Sequence, residues 1–284
     1  MNIALAKHLF SLLLFGSNGI VASRIALTSY EIVFLRCLLG SLLLGAIVLA
    51  ARKPLGILRE KRSAMLIAAS GMAMGASWMF LYEAFTQIGV SFATLTYYCG
   101  PVILVALSPI LFGESLTRLK LLALGMVAAG AVLLNGPLAG GGSLWGLFCG
   151  FMAALCYVAM VALNKKARGV SGMENTLLQL VAALGTVSAF LLWKQGLSLD
   201  VAAGDWPFIL VLGLVNTGYA CWLYFSSIGR LPVQTVAVCG YVEPLSAVLF
   251  SVLLLGETMS LWQTLGAALI FAGAVLSQIG PSRN

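Results

Sequence analysis

The feature that most constrains this chain is a succession of apolar runs, each roughly 18 to 22 residues long, separated by short gaps rich in Gly, Pro and charge. A helix rising ~1.5 Å per residue crosses ~30 Å of hydrocarbon in about 20 residues, so runs of this length read as transmembrane helices. Only 9% of the residues are charged and 61% are hydrophobic, whereas a soluble domain carries roughly a quarter charged residues. A soluble core cannot use that much apolar surface; lipid is the solvent that suits it. The runs fall near 3–23, 30–50, 64–88, 92–112, 117–135, 144–164, 174–193, 206–228, 233–254 and 260–279. They predict an all-α membrane protein of ten transmembrane helices.

The formal charge of +7 does not point to nucleic acid, because the Lys and Arg residues lie in the gaps and not along one basic face. If the N-terminus is cytoplasmic, inside segments hold Lys7, Arg52, Lys53, Arg59, Lys61, Arg62, Arg118, Lys120, Lys165, Lys166, Arg168, Arg230 and Arg283. Arg24 and Lys194 fall outside, and Arg36 lies within a span. This follows the positive-inside rule and predicts a multi-pass protein of the inner (cytoplasmic) cell membrane with both termini cytoplasmic. The opening Lys7, His8 and LFSLLLFG imitate a signal peptide. Further spans follow, and Arg24 comes directly after the only small-residue site, so an uncleaved first helix is expected. His8, near the terminus, is expected to face solvent or headgroups. The six cysteines all lie in apolar runs without disulfide or zinc spacing and read as small core residues. No metal or cofactor is expected.

The chain also resembles itself. At an offset of 143 residues, Tyr98-x-x-Pro101 aligns with Tyr241-x-x-Pro244, Gly113-Glu114 with Gly256-Glu257, and AGAVL from Ala129 with AGAVL from Ala272. Upstream the match loosens: Leu81-Tyr82 and Ile88-Gly89 meet Leu223-Tyr224 and Ile228-Gly229 only if the spacing changes. The charge-free stretch Gly136 to Ser143 (GPLAGGGS) reads as the linker between two halves, 1–138 and 139–284. Each half has an odd number of spans, so the second must enter the membrane from the opposite side, with Glu114 cytoplasmic and Glu257 external. The fold class expected is two inverted five-helix repeats. That architecture places a binding site near the midplane and alternates access by rocking one half on the other. Duplication kept only for folding is the alternative.

From Gly213 to Leu276 the sequence resembles the second repeat of the EamA family within the drug/metabolite transporter superfamily. The first half matches more loosely, through FLR at Phe34 to Arg36, Tyr98-x-x-Pro101 and LFGE at Leu111 to Glu114. The resemblance spans almost the whole chain. It implies ten helices, cytoplasmic termini, a central cavity and, often, export of amino acids or related metabolites. It names no single substrate.

Ionisable groups within a span cost at least ~2.5 kcal/mol each, so those present are candidate functional groups. There are three. Glu243 lies about ten residues into its helix, ~15 Å deep, near the midplane; it is the leading candidate for proton coupling or for pairing with an ammonium group. The other reading is a carboxyl hydrogen-bonded to a neighbouring helix. Arg36 and Glu83 share a shallower depth, ~9 Å from the external ends of their helices. They can pair to gate the opening or bind a zwitterion, or Arg36 can snorkel to headgroups while Glu83 reaches water. Pro101 and Pro244 are expected to kink their helices and free a carbonyl toward a cavity. Tyr98 and Tyr241 precede them by three positions on the same face, and either line that cavity or bond between helices. Trp78, Tyr82, Trp222 and Asn18 complete the candidate substrate-binding set, with Trp78 and Tyr82 four apart on one face.

Rival classes lack their chemistry. The chain has no HExxH, GxSxG or phosphate loop, so neither an intramembrane enzyme nor a nucleotide-driven pump is expected. The small multidrug resistance group of the same superfamily uses a glutamate in its first helix; here that helix holds Asn18 and no carboxylate. The favoured function is secondary transport of a small organic solute, amino-acid-like efflux foremost. A multidrug or cation exporter, or a non-transporting membrane scaffold, stands as the alternative.

Overall fold

A computed structural model describes residues 3–51, 56, 60–88, 93, 96–113, 116–135, 143–167, 172–194, 196, 199–255 and 260–279. Among them there is no strand. The reason is the solvent: in hydrocarbon every backbone N–H and C=O must be satisfied within the segment, and a helix does this locally. The helical segments are α1 (Ile3–Ala22), α2 (Ser29–Ala50), α3 (Lys61–Ile88), α4 (Cys99–Phe112), α5 (Arg118–Asn135), α6 (Leu144–Lys166), α7 (Gly172–Lys194), α8 (Ala203–Ile228), α9 (Val233–Leu254) and α10 (Leu261–Ile279). Each overlaps one of the expected runs, although α4, from Cys99, is shorter than the run 92–112. Among the described residues, seven are long and apolar enough to cross a membrane: α1, α2, α3, α6, α7, α8 and α9. Glu114, Gly256, Glu257, most of the Gly136–Ser143 linker, Arg52, Lys53, Arg59, Arg168 and Arg283 lie outside the described residues.

Local chemistry sets the helix ends. Thr28 and Glu31 form a reciprocal capping box that starts α2. Gly113 adopts φ 69°, a left-handed value that costs a glycine nothing, and ends α4.

The helices pack in a recurring pattern. α3 lies against α6 and α7, while α8 lies against α1 and α2; α4 meets α6 as α9 meets α1; α2 meets α7, α4 meets α9 and α5 meets α10. Small residues permit the closest approaches. A Cβ at Gly71 would stand 2.4 Å from the Gln179 carbonyl oxygen, and one at Gly130 would stand 2.6 Å from that of Gly266, so both positions require glycine.

Several helices are interrupted. α1 turns at Ser17, between Ile3–Gly16 and Asn18–Ala22; α9 turns at Gly240–Tyr241, between Val233–Cys239 and Val242–Leu255; a turn at Tyr98 precedes α4. In α8 the backbone widens to a π-helix over Val211–Tyr219. Irregular backbone at membrane depth is tolerated where it is buried or lines a cavity; the three turns border one cavity, and the π-helix packs behind it against α1 and α2.

Candidate functional site

The interrupted segments enclose a cavity of about 310 Å³, at the lower end of the range for small-molecule sites. Its walls come from both halves of the chain. Asn18 and Phe15 of α1, Trp78 and Tyr82 of α3, and Tyr98 ahead of α4 face Tyr157 of α6, Tyr224 of α8 and Glu243 of α9. Arg36 of α2 reaches it as well, and so do Pro101 and Pro244.

The aromatic rings form a continuous wall. Tyr97 stands 5.7 Å from Tyr98 and 5.8 Å from Tyr157 between ring centroids, and Phe15 stands 5.9 Å from Tyr224. Such walls attract cations through ring quadrupoles and give apolar groups a place to lie. The two charged lining side chains differ in how they are held. Arg36 donates its Nε–H to Thr217 Oγ1 at 2.9 Å and lays its guanidinium 4.8 Å above the Trp78 ring. The Glu243 carboxyl has no hydrogen bond or ion pair with any described residue; its backbone N–H donates to Gly240 O and its backbone carbonyl accepts from Ser246 Oγ. It is an open acceptor on the cavity wall.

Tyr241 and Tyr98 divide the two roles expected of them. Tyr98 lines the cavity, whereas Tyr241 is buried behind it and donates its hydroxyl to the Tyr98 carbonyl at 2.8 Å, with the rings 5.6 Å apart. The prolines also differ from expectation. Pro101 and Pro244 stand in the first turn of a new helical piece that follows a break, and not within a continuous kinked helix. There the missing proline N–H leaves no bond unmade, because the opening turn of a helix has free N–H groups in any case.

Glu83 does not reach the cavity and does not pair with Arg36. Its carboxylate accepts from Lys194 Nζ at 3.1 Å, Tyr30 Oη at 2.5 Å, Gln87 Nε2 at 3.3 Å and Trp145 Nε1 at 3.4 Å. One side chain thus joins the ends of α2, α3, α6 and α7. The two shared a depth in the sequence, but rotation of α3 turns Trp78 toward Arg36 and Glu83 toward α7. Trp222 lies off the cavity lining too, with Lys7 Nζ 5.3 Å above its ring.

His8 corrects the reading of a solvated terminus. It is fully buried, its ring tilted against Tyr224 with centroids 5.0 Å apart and Nδ1 3.3 Å from Ser227 Oγ. Helix α1 carries it inward because α1 packs on α8 and α9. Sequence reasoning passed over Tyr97, Tyr157 and Met160, which line the cavity. Tyr97 adjoins a candidate and was within reach; Tyr157 and Met160 sit in an apolar run like any other core residue and gave no local signal. Among the described residues no group of metal-ligating side chains occurs.

Known proteins share this architecture. The family model described as the EamA-like transporter family matches twice, over residues 3–136 and 144–278. An uncharacterized transporter of Bacillus subtilis is 28% identical over 284 residues, covering 97% of this chain and 89% of the relative. An uncharacterized transporter of Archaeoglobus fulgidus is 27% identical over 274 residues, covering 96% and 95%. One solved crystal structure superposes with a TM-score of 0.82 over 97% of each chain at 20% identity, a likeness of fold. With its apolar spans and a family model that covers nearly its whole length, this integral membrane protein belongs to the EamA-like transporter family.

Proposed function

We propose that this protein is an alternating-access secondary transporter of a small zwitterionic metabolite, amino-acid-like, which it exports across the cytoplasmic membrane. The observation that carries the substrate class is the pair of opposite charges on one aromatic-walled cavity: Glu243 as an open carboxyl for an ammonium group and Arg36 as the partner for a carboxylate. A purely cationic cargo fits less well, since Arg36 would repel it. Efflux as the direction, cytoplasmic termini and proton coupling through Glu243 rest on the family resemblance, the loop charges and the position of this carboxyl.

Ten helices in two inverted repeats are part of the same reading. Its support is the neighbour pattern: exchanging each helix for the one five places along the chain turns α3·α6 into α8·α1, α3·α7 into α8·α2, α4·α6 into α9·α1 and α2·α3 into α7·α8. The pairs α2·α7, α4·α9 and α5·α10 map onto themselves, as contacts across a two-fold axis must. The double match of the family model supports it as well.

Two measurements test the reading. In proteoliposomes, a Glu243→Gln variant should lose the pH dependence of flux or its affinity for the solute; wild-type flux across a broad pH range would remove Glu243 from the mechanism. Cysteine-accessibility labelling at the Gly113 and Gly256 corners should find them on opposite sides of the membrane. Finding both on one side would end the inverted-repeat account.

A further inference from the structure

The π-helical stretch of α8 has no counterpart among the features legible in the sequence, and two of its side chains hold residues beside or on the cavity wall. Asn216 Nδ2 donates to Leu14 O at 3.0 Å, Ser17 Oγ at 2.8 Å and Asn18 Oδ1 at 3.0 Å, holding the break in α1. Thr217, fully buried, holds Arg36.

The hydrogen-bond polarity at Thr217 leaves one arrangement. A threonine hydroxyl has one proton and two lone pairs. That proton goes to Leu212 O at 2.8 Å, five residues back, so toward Arg36 the oxygen acts as acceptor for Nε–H at 2.9 Å. The Thr217 methyl is packed as well: a Cβ at Gly40, one turn beyond Arg36 on α2, would stand 3.2 Å from it. With Nε occupied by Thr217 and the guanidinium carbon 4.8 Å over the Trp78 ring, the side-on fork of Arg36 is used up. The two terminal amino groups remain, and they form an end-on fork matched to a planar carboxylate. No carboxylate of the described residues is paired with Arg36; Glu83 is taken by Lys194.

We propose that Thr217 is a positioning residue for substrate recognition: it spends the Nε–H of Arg36 so that only the terminal amino edge is offered, which selects solutes bearing a free carboxylate. This deepens the zwitterion reading and rests on it. The π-helix is the means, because an ordinary α-helical register would rotate residue 217 away from α2.

The test uses three matched probes with the purified protein: L-leucine, L-leucinamide, which lacks the carboxylate charge, and 4-methylpentanoate, which lacks the ammonium. Affinities are read by thermal shift and by flux in proteoliposomes. The wild type should favour leucine over leucinamide. Thr217→Val, nearly isosteric but without the hydroxyl, should weaken leucine roughly ten- to a hundredfold, the scale of a hydrogen bond to a charged group, and leave leucinamide unchanged. Thr217→Ser, which restores the acceptor, should recover most of the preference. If the valine variant is poorly folded, the contrast between Thr217→Ser and Thr217→Ala reads the same quantity. An undiminished preference in Thr217→Val, or an equal loss for leucine and leucinamide, would overturn the assignment while leaving the zwitterion reading in place. A wild type that binds none of the three would overturn both.

Discussion

Glu83 and Glu243 are both carboxyls within apolar helices, yet their surroundings divide their work. Glu83 is ringed by donors from four helix ends, so its removal strands the buried Tyr30 hydroxyl and frees the half-exposed Trp145 N–H. Leaving a buried donor without its acceptor costs about 1–3 kcal/mol. Lys194, whose side chain is 42% exposed, is held partly by water, and its loss leaves Glu83 with three neutral donors, so it should cost about 1 kcal/mol. Thermal unfolding in detergent should therefore rank Glu83→Ala well below Lys194→Ala; the reverse order would mean the other three donors contribute little. Gln179 presents the opposite case. It is fully buried with neither amide atom hydrogen-bonded, and an unsatisfied buried polar group costs about 1–3 kcal/mol. Gln179→Met, close in shape, should raise the Tm, and a lower Tm would show that the amide has a partner, such as an internal water. Charge and apolarity made Glu243 and Glu83 legible as candidates. Which of them faces a cavity depended on helix rotation, and the lone His8 was misread because nearness to a terminus says little about burial in a packed bundle.

At the scale of the element, glycine spacing carried real information about packing. Gly71 and Gly75 lie four apart on one face of α3, and both meet α7: added Cβ atoms would come within 2.4 Å of the Gln179 oxygen and 2.8 Å of the Ala183 oxygen. Gly71→Val should force α3 and α7 apart, at a cost of about 1–3 kcal/mol or more, seen as a lower Tm and poorer recovery of monodisperse protein. Gly185, beside which an added Cβ meets nothing within 4 Å, supplies the control, since Gly185→Ala should be neutral or mildly stabilising. The interruptions were only half visible. Pro101 and Pro244 marked the right levels of α4 and α9, but the break at Ser17 and the π-helix of α8 have no proline to announce them. They persist because Asn216 bonds across the α1 break and Thr217 bonds to Arg36, contacts between residues far apart in sequence, while Thr217 also bonds back to Leu212 within the widened turn.

For the whole molecule, the contact between Tyr241 and Tyr98 is the most informative. These are repeat-related residues, 143 positions apart, yet the hydrogen bond between them runs in one direction only, from the Tyr241 hydroxyl to the Tyr98 carbonyl. Under alternating access such an asymmetric bond belongs to one of two states. Tyr241→Phe removes about 1 kcal/mol from that state, an approximately fivefold change in its population relative to the other. The expected readout is a change of similar size in the rate at which Cys221, which lines the cavity, reacts with a thiol reagent in a variant lacking the other cysteines. An unchanged rate would mean that the bond forms equally in both states.

The sequence by itself determined the solvent and the helical class, because the transfer of apolar runs into lipid is a local free energy that adds along the chain. Only the tertiary structure decided which side chains meet: that Arg36 turns to Thr217 and Trp78 and not to Glu83, that Tyr241 supports the wall Tyr98 lines, and that Tyr157 belongs to the cavity. Those outcomes follow from how each helix is rotated, widened or broken against its neighbours, and within uniformly apolar runs a difference of one position in helical register changes the face presented without changing any local preference.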